Sequence, residues 1–121
     1  MEKGNIIINI ITTPSILNLK IITIKGTFDA VTSKQVDEKI LPLIEQEKSD
    51  VILDLSNIDY VSSVGIMCLA QYQVLLNDKK RFLKFVKPPQ PVLETLKIIG
   101  VAAKFEMFDS LEAAISSFQK K

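Results

Sequence analysis

The chain has 121 residues, 47% of them apolar, and a net charge of +1. That length suits one domain with its own core, the apolar fraction excludes a disordered chain, and the near-neutral balance gives no basis for direct nucleic-acid binding. There is no histidine and one cysteine, Cys68, which removes His-based catalytic triads, most zinc sites and any internal disulfide, and fits a reducing compartment.

Residues 5–12, NIIINIIT, are isoleucine-rich and predict a strand. The apolar run within it, Ile6 to Ile11, is too short to span a membrane and no small-residue cleavage site follows, so a cytoplasmic location without membrane insertion is expected. Thr13-Pro14-Ser15 signals a turn. In residues 17–25, Leu17, Leu19 and Ile21 alternate with Asn18, Lys20 and Ile22, which predicts a second strand, a hairpin partner of the first, ended by Gly26.

Asp29 and Thr32 both qualify as N-caps of the next helix, whose Val36, Ile40, Leu43 and Ile44 fall on one face. Pro42 inside that pattern should kink or divide the helix. Residues 51–55, VILDL, predict a strand covered on both faces, as in parallel sheets, with Ser56-Asn57 interrupting the run. Residues 63–77 predict a deep helix that offers Ile66, Ala70 and Leu76, or Met67, Val74 and Leu75, for burial. Cys68 on that helix is expected to be an inert core thiol, and Tyr60 just before it to pack over the sheet edge.

RFLKFV (81–86) predicts a strand, and KPPQP (87–91) continues neither a strand nor a helix. Lys79, Lys80, Arg81, Lys84 and Lys87 are expected to be a solvated face. Val92, Leu93, Leu96 and Ile99 predict a short helix with Gly100 beyond its end. Residues 103–108 predict a last strand, and Asp109 followed by Glu112 has the capping-box spacing for a final helix bearing Leu111, Ala114, Ile115 and Phe118. The order β-β-α-β-α-β-α-β-α predicts a single α/β domain over residues 1–121, a mixed and mostly parallel sheet with about four flanking helices.

Ser62 and Ser63 lie in a strand-to-helix loop at the carboxyl end of a strand, where functional groups concentrate in α/β sheets. A phosphate there would meet free N–H groups and the positive end of the helix dipole, and Gly65 would let another protein approach closely. An ordinary serine N-cap with a tolerated glycine accounts for the same spacing.

The segment VILDLSNIDYVSSVGIMCL (51–69) resembles the core motif of the STAS domain, the fold of bacterial anti-sigma factor antagonists. GTFDAVTSKQV (26–36), VLETLKIIGV (92–101) and MFDSLEAAI (107–115) resemble further family segments, so the likeness covers nearly the whole chain. It departs at Ser62, where the family usually has Asp, and at Val64, where Ser or Thr is frequent.

The resemblance implies a binding protein rather than an enzyme, with no cofactor and no metal of its own. Its partner would be an anti-sigma factor serine kinase that holds the ATP. The phosphorylated residue would be Ser63, two positions before Gly65, with Ser62 as second choice. Asp29, Asp54, Asp59, Val61, Ser62, Val64, Gly65 and Met67 would form the partner-binding face, with a hydrophobic anchor from Val61, Val64 or Met67. A monomer or weak dimer is expected. Two other readings fit the same residues: a STAS accessory subunit of a membrane transporter, such as a lipid-exporting ABC system, and a small ligand-binding α/β domain.

Overall fold

A computed structural model describes residues 5–13, 16, 18–98 and 106–119. Expectations resting on Pro14, Ser15, Leu17, Ile99, Gly100 and residues 103–105 lie outside these.

The isoleucine-rich start and the alternating segment after it form an antiparallel pair, β1 (Ile6–Thr12) and β2 (Leu19–Phe28). Helix α1 (Ser33–Glu45) leads to β3 (Asp50–Asp54), which runs parallel to β2. A short strand β4 (Ile58–Val61) follows, then α2 (Ser63–Asp78), β5 (Leu83–Val86), α3 (Gln90–Ile98), β6 (Glu106–Phe108) and α4 (Leu111–Gln119). The six-stranded sheet has the order β1-β2-β3-β5-β6, and β4 pairs with the far end of β2. Every pair except β1–β2 is parallel.

The helices divide unequally between the two faces. Ile22, Ile24, Val51, Leu53 and Phe85 of the sheet pack with Val36, Ile40 and Ile44 of α1, Ile66, Leu69, Tyr72 and Leu76 of α2, and Val92 and Leu96 of α3. The other face is a smaller cluster, Leu19, Ile21, Ile52 and Val86 around Ala114 of α4. β3 supplies buried side chains to both, which is why its run is apolar at consecutive positions. Among the described residues no helix is long and apolar enough to cross a membrane.

Several expectations are corrected. The sequence reading has no β4; that strand follows a two-residue turn, and its exposed Asp59 and Tyr60 hide any alternation. Gly26 does not end β2. It takes φ +112°, the register shifts between Gly26 and Thr27, and the strand continues to Phe28 against β4. Pro42 does not divide α1: the helix continues to Glu45, and Pro42 O still accepts from Gln46 N–H at 2.8 Å. Helix α3 starts at Gln90 and takes in Pro91, whose missing N–H costs nothing in a first turn. Ser110, not Asp109, caps α4, its Oγ accepting from Ala113 N–H at 3.1 Å.

Lys84 is no part of a solvated basic face. It is 6% exposed, with Nζ 2.8 Å from Ser117 Oγ, 3.2 Å from a Glu106 carboxylate oxygen and 4.1 Å from the centre of the Phe118 ring. The buried ammonium is hydrogen-bonded, paired and stacked, the conditions under which burial of a charge is tolerated.

Gly26 is the position where the backbone leaves least freedom. A Cβ there would lie 2.2 Å from Asn5 O, in addition to the strain of a positive φ. Gly26→Ala is expected to destabilise the fold by about 1–3 kcal/mol or more, read as a lower urea midpoint at unchanged slope.

Candidate functional site at the start of helix α2

Phe28 ends β2 and pairs with Val61 at the end of β4, so the loops after these parallel strands emerge side by side. Each loop is held by its own short polar side chains. After β2, Asp29 Oδ1 accepts from Val31 N–H at 2.9 Å and Thr32 N–H at 3.1 Å. Thr32, fully buried, accepts from Asp29 N–H at 2.9 Å and donates to Thr27 O at 2.8 Å. Thr32 is the N-cap of α1 by position, but its hydroxyl closes the loop instead of capping a helical N–H.

After β4, Ser62 N–H donates to Phe28 O at 2.9 Å, tying the two loops together. Ser62 is the N-cap of α2: its backbone is extended, and its Oγ accepts from Gly65 N–H at 3.2 Å. Asp and Ser are comparable N-caps, so serine in place of the family's usual acid keeps the helix start intact. Ser63 is the first helical residue and is exposed. Among the described residues no hydrogen bond engages its hydroxyl. No acidic side chain occupies the first turn of α2, so its positive end is not neutralised from within the helix.

Gly65 is buried, and a Cβ there would lie 2.6 Å from Phe28 O and 2.8 Å from Val61 Cγ1. The glycine therefore lets α2 approach the protein's own backbone; the expectation that it opens a path for another protein is corrected. Val61 is 7% exposed and faces the core, which removes it as a surface anchor. Val64 and Met67 are 42% and 61% exposed. With Cys68, Gln71, Val74 and Leu75 they line an open, mostly apolar groove of about 520 Å³ along α2.

The other expected site residues are more scattered. Asp54, at the end of β3, accepts from Ser56 N–H at 3.0 Å and Ser56 Oγ at 2.7 Å, holding the turn into β4. No hydrogen bond among the described residues links Asp54 or Asp29 to Ser63. Asp59 is exposed on β4 beside Tyr60, which is 58% exposed instead of packed over the sheet edge. Val31, 59% exposed in the loop after β2, stands at the same end of the sheet and was not anticipated. An apolar residue within an otherwise polar capping segment was the available signal.

Two titratable groups of α2 depart from their usual range. Tyr72 Oη donates to Asp37 Oδ1, joining α2 to α1, and burial, that hydrogen bond and the Asp37 charge all push the phenol far above its usual range. Burial, then the Asp37 charge, raises the Cys68 thiol. The expectation of a core thiol is corrected: Cys68 is half-buried in the groove wall, packed against the core and not within it. Among the described residues no group of three or more His, Cys, Asp or Glu could hold a metal ion.

The sequence model of the STAS domain matches residues 8–114, and the chain belongs to that family. Its relatives include the putative anti-sigma factor antagonist BtrV of Bordetella bronchiseptica, 24% identical over 90% of this chain and 94% of that protein. The anti-sigma-F factor antagonist RsfB of Mycobacterium tuberculosis is 22% identical over 79% of this chain and 78% of its own. The fold is that of an anti-sigma factor antagonist from Mycobacterium paratuberculosis, with TM-score 0.78, 18% identity and 96% of both chains covered. It is also that of unphosphorylated SpoIIAA, with TM-score 0.78, 16% identity, and 95% of this chain and 100% of that one covered. The phosphorylated form of SpoIIAA, from Bacillus, gives 0.76 at 15% identity, covering 93% of this chain and 99% of its own.

The two serines should separate in stability measurements. Ser62→Ala is expected to cost about 1 kcal/mol through loss of the cap, and Ser63→Ala less than about 0.5 kcal/mol, both read by urea unfolding. Cys68 should alkylate more slowly at neutral pH than a free thiol, because a raised pKa leaves less thiolate. Asp37→Asn removes the negative charge that helps to raise it, so alkylation should then quicken, measured by iodoacetamide kinetics against pH.

Proposed function

We propose that this protein is an anti-sigma factor antagonist. It is a binding protein without a reaction of its own. It docks on an anti-sigma factor serine kinase through the start of α2 and is released when the kinase phosphorylates Ser63. The observation that carries this reading is the division between the paired serines. Ser62 is committed to the cap of α2, while Ser63 presents an exposed and unengaged hydroxyl next to an apolar groove. The names of BtrV and RsfB and the two forms of SpoIIAA support it.

The switch follows from local electrostatics. A phosphate on Ser63 adds about −1.5 to −2 charges at neutral pH. Within the protein it meets the N-terminal end of a helix, where anions are favoured, so the fold tolerates it. At an interface the same dianion would have to be desolvated beside Val64 and Met67, and that cost falls on the complex. ATP belongs to the partner. Val64 and Met67 supply the anchor, and Asp59 and Tyr60 belong to the rim of the docking face.

Incubation with the cognate anti-sigma kinase and ATP, followed by mass mapping, should place one phosphate on Ser63. Ser62→Ala should still accept it, and Ser63→Ala should not. An unchanged phosphorylation signal in Ser63→Ala would overturn the assignment. Met67→Asp should weaken binding of the unmodified protein at least about tenfold, the effect of burying a charge at an apolar anchor, measured by calorimetry.

A further inference from the structure

Strand β1 is one end of the sheet. β2 pairs with one of its sides, and among the described residues no strand pairs with the other. Thr27 N–H donates to Asn5 O, so Asn5 and every second residue after it turn their backbone groups toward β2. Ile6, Ile8, Ile10 and Thr12 therefore turn theirs toward the open edge. Proteins normally blunt such an edge with charge, proline or a bulge. β1 has no charged residue and no proline, and its pairing with β2 runs without a register shift. Ile7, Ile10 and Ile11 are 54%, 39% and 46% exposed.

The strand reads IIINIIT, almost the same in both directions about Asn9. Two copies placed antiparallel with Asn9 facing Asn9 set Ile8 against Ile10 of the second copy, Ile6 against its Thr12 and Ile7 against its Ile11. The backbone parity then matches. Ile6, Ile8, Ile10 and Thr12 form the hydrogen-bonded pairs, while Ile7, Asn9 and Ile11 form the closer non-hydrogen-bonded ones. A slip of one residue would set outward groups against inward ones. A slip of two would shorten the overlap. Charge also permits the pairing: Lys20 and Lys25 of β2 flank Thr12 and Ile7, so across the joint they approach Ile6 and Ile11 of the other copy, not a lysine.

We propose that two copies of this chain pair through β1, antiparallel about Asn9, and join their sheets across a two-fold axis. Ile7 and Ile11 of both copies then form one apolar patch on the face that α4 leaves uncovered at this edge. The contact is a single strand pair and therefore weak and concentration-dependent. None of the candidate-site residues lies on β1, so this pairing stands or falls independently of the proposed function.

The register supplies the test, made on the full chain in a Cys68→Ser background. Facing Asn9 positions lie about 4.5 Å apart between Cα atoms, within the roughly 4.4–6.8 Å that a disulfide spans. Ile7 lies roughly 14 Å from its own counterpart, four residues along the strand at about 3.4 Å each. Mild oxidation should cross-link Asn9→Cys into dimers and leave Ile7→Cys monomeric. In sedimentation equilibrium, the wild-type mass should rise from monomer toward dimer between roughly 10 µM and 1 mM, as suits an interface below the standard size. Asn9→Lys, which opposes two ammonium groups at the axis, should lower association at least tenfold with an unchanged circular dichroism spectrum. Should that variant fold poorly, Ile10→Pro removes an outward N–H that the monomer does not use. A wild-type chain monomeric throughout that range, equal cross-linking at positions 7 and 9, or undiminished association in both variants would overturn the proposal. The first of these outcomes would leave the edge to a strand from another protein.

Discussion

The start of α2 rests directly on the backbone of Phe28, and the geometry of the candidate site depends on that contact. Phe28 O receives the Ser62 N–H, and the same oxygen leaves no room for a side chain at residue 65. A Cβ would have to push the helix away from β2 or displace a carbonyl that is already bonded. The contact also fixes the helical phase. With Ser62 as cap and Gly65 facing inward, Ser63, Val64 and Met67 face solvent, while Ile66, Leu69 and Tyr72 face the sheet. The same constraint reaches back along β2, which must continue past Gly26 to bring Phe28 to this place. A left-handed residue at that point lets the strand leave β1 and take up β4.

A second tie operates about two turns further along α2. The Tyr72–Asp37 hydrogen bond joins α2 to α1, and burial together with the Asp37 carboxylate favours the neutral forms of both the phenol and the neighbouring thiol. The groove itself is mostly apolar where it meets solvent.

The sequence disclosed the periodic parts of this fold because burial there is one-sided and regular. Val36, Ile40, Leu43 and Ile44 are all buried on α1, and the β1–β2 hairpin was legible from alternation. The strand β4 was not legible, because exposed Asp59 and Tyr60 stand consecutively between half-buried Ile58 and buried Val61. Lys84 was misjudged for a related reason. Its neighbours Lys79, Lys80 and Lys87 are exposed, and what buries Lys84 comes from Glu106 and Ser117, far along the chain. At the candidate site, residue types were readable and orientation was not. The sequence marked Gly65 and Val61, but only the packing on Phe28 shows that they face inward, and exposed Val31 stood within a segment read only for its caps.

The single helix on the second face has a consequence of its own. The large cluster under α1, α2 and α3 carries most of the buried apolar side chains, while α4 covers a small one and is pinned by the Lys84 ammonium between Phe118, Ser117 and Glu106. Buried apolar surface is therefore unevenly distributed across the sheet, which favours local opening on the α4 side. A chain that loses the grip of α4 for a moment keeps β2, β4 and α2 in place. The start of α2 lies on the more heavily packed face, across the sheet from the carboxyl-terminal helix.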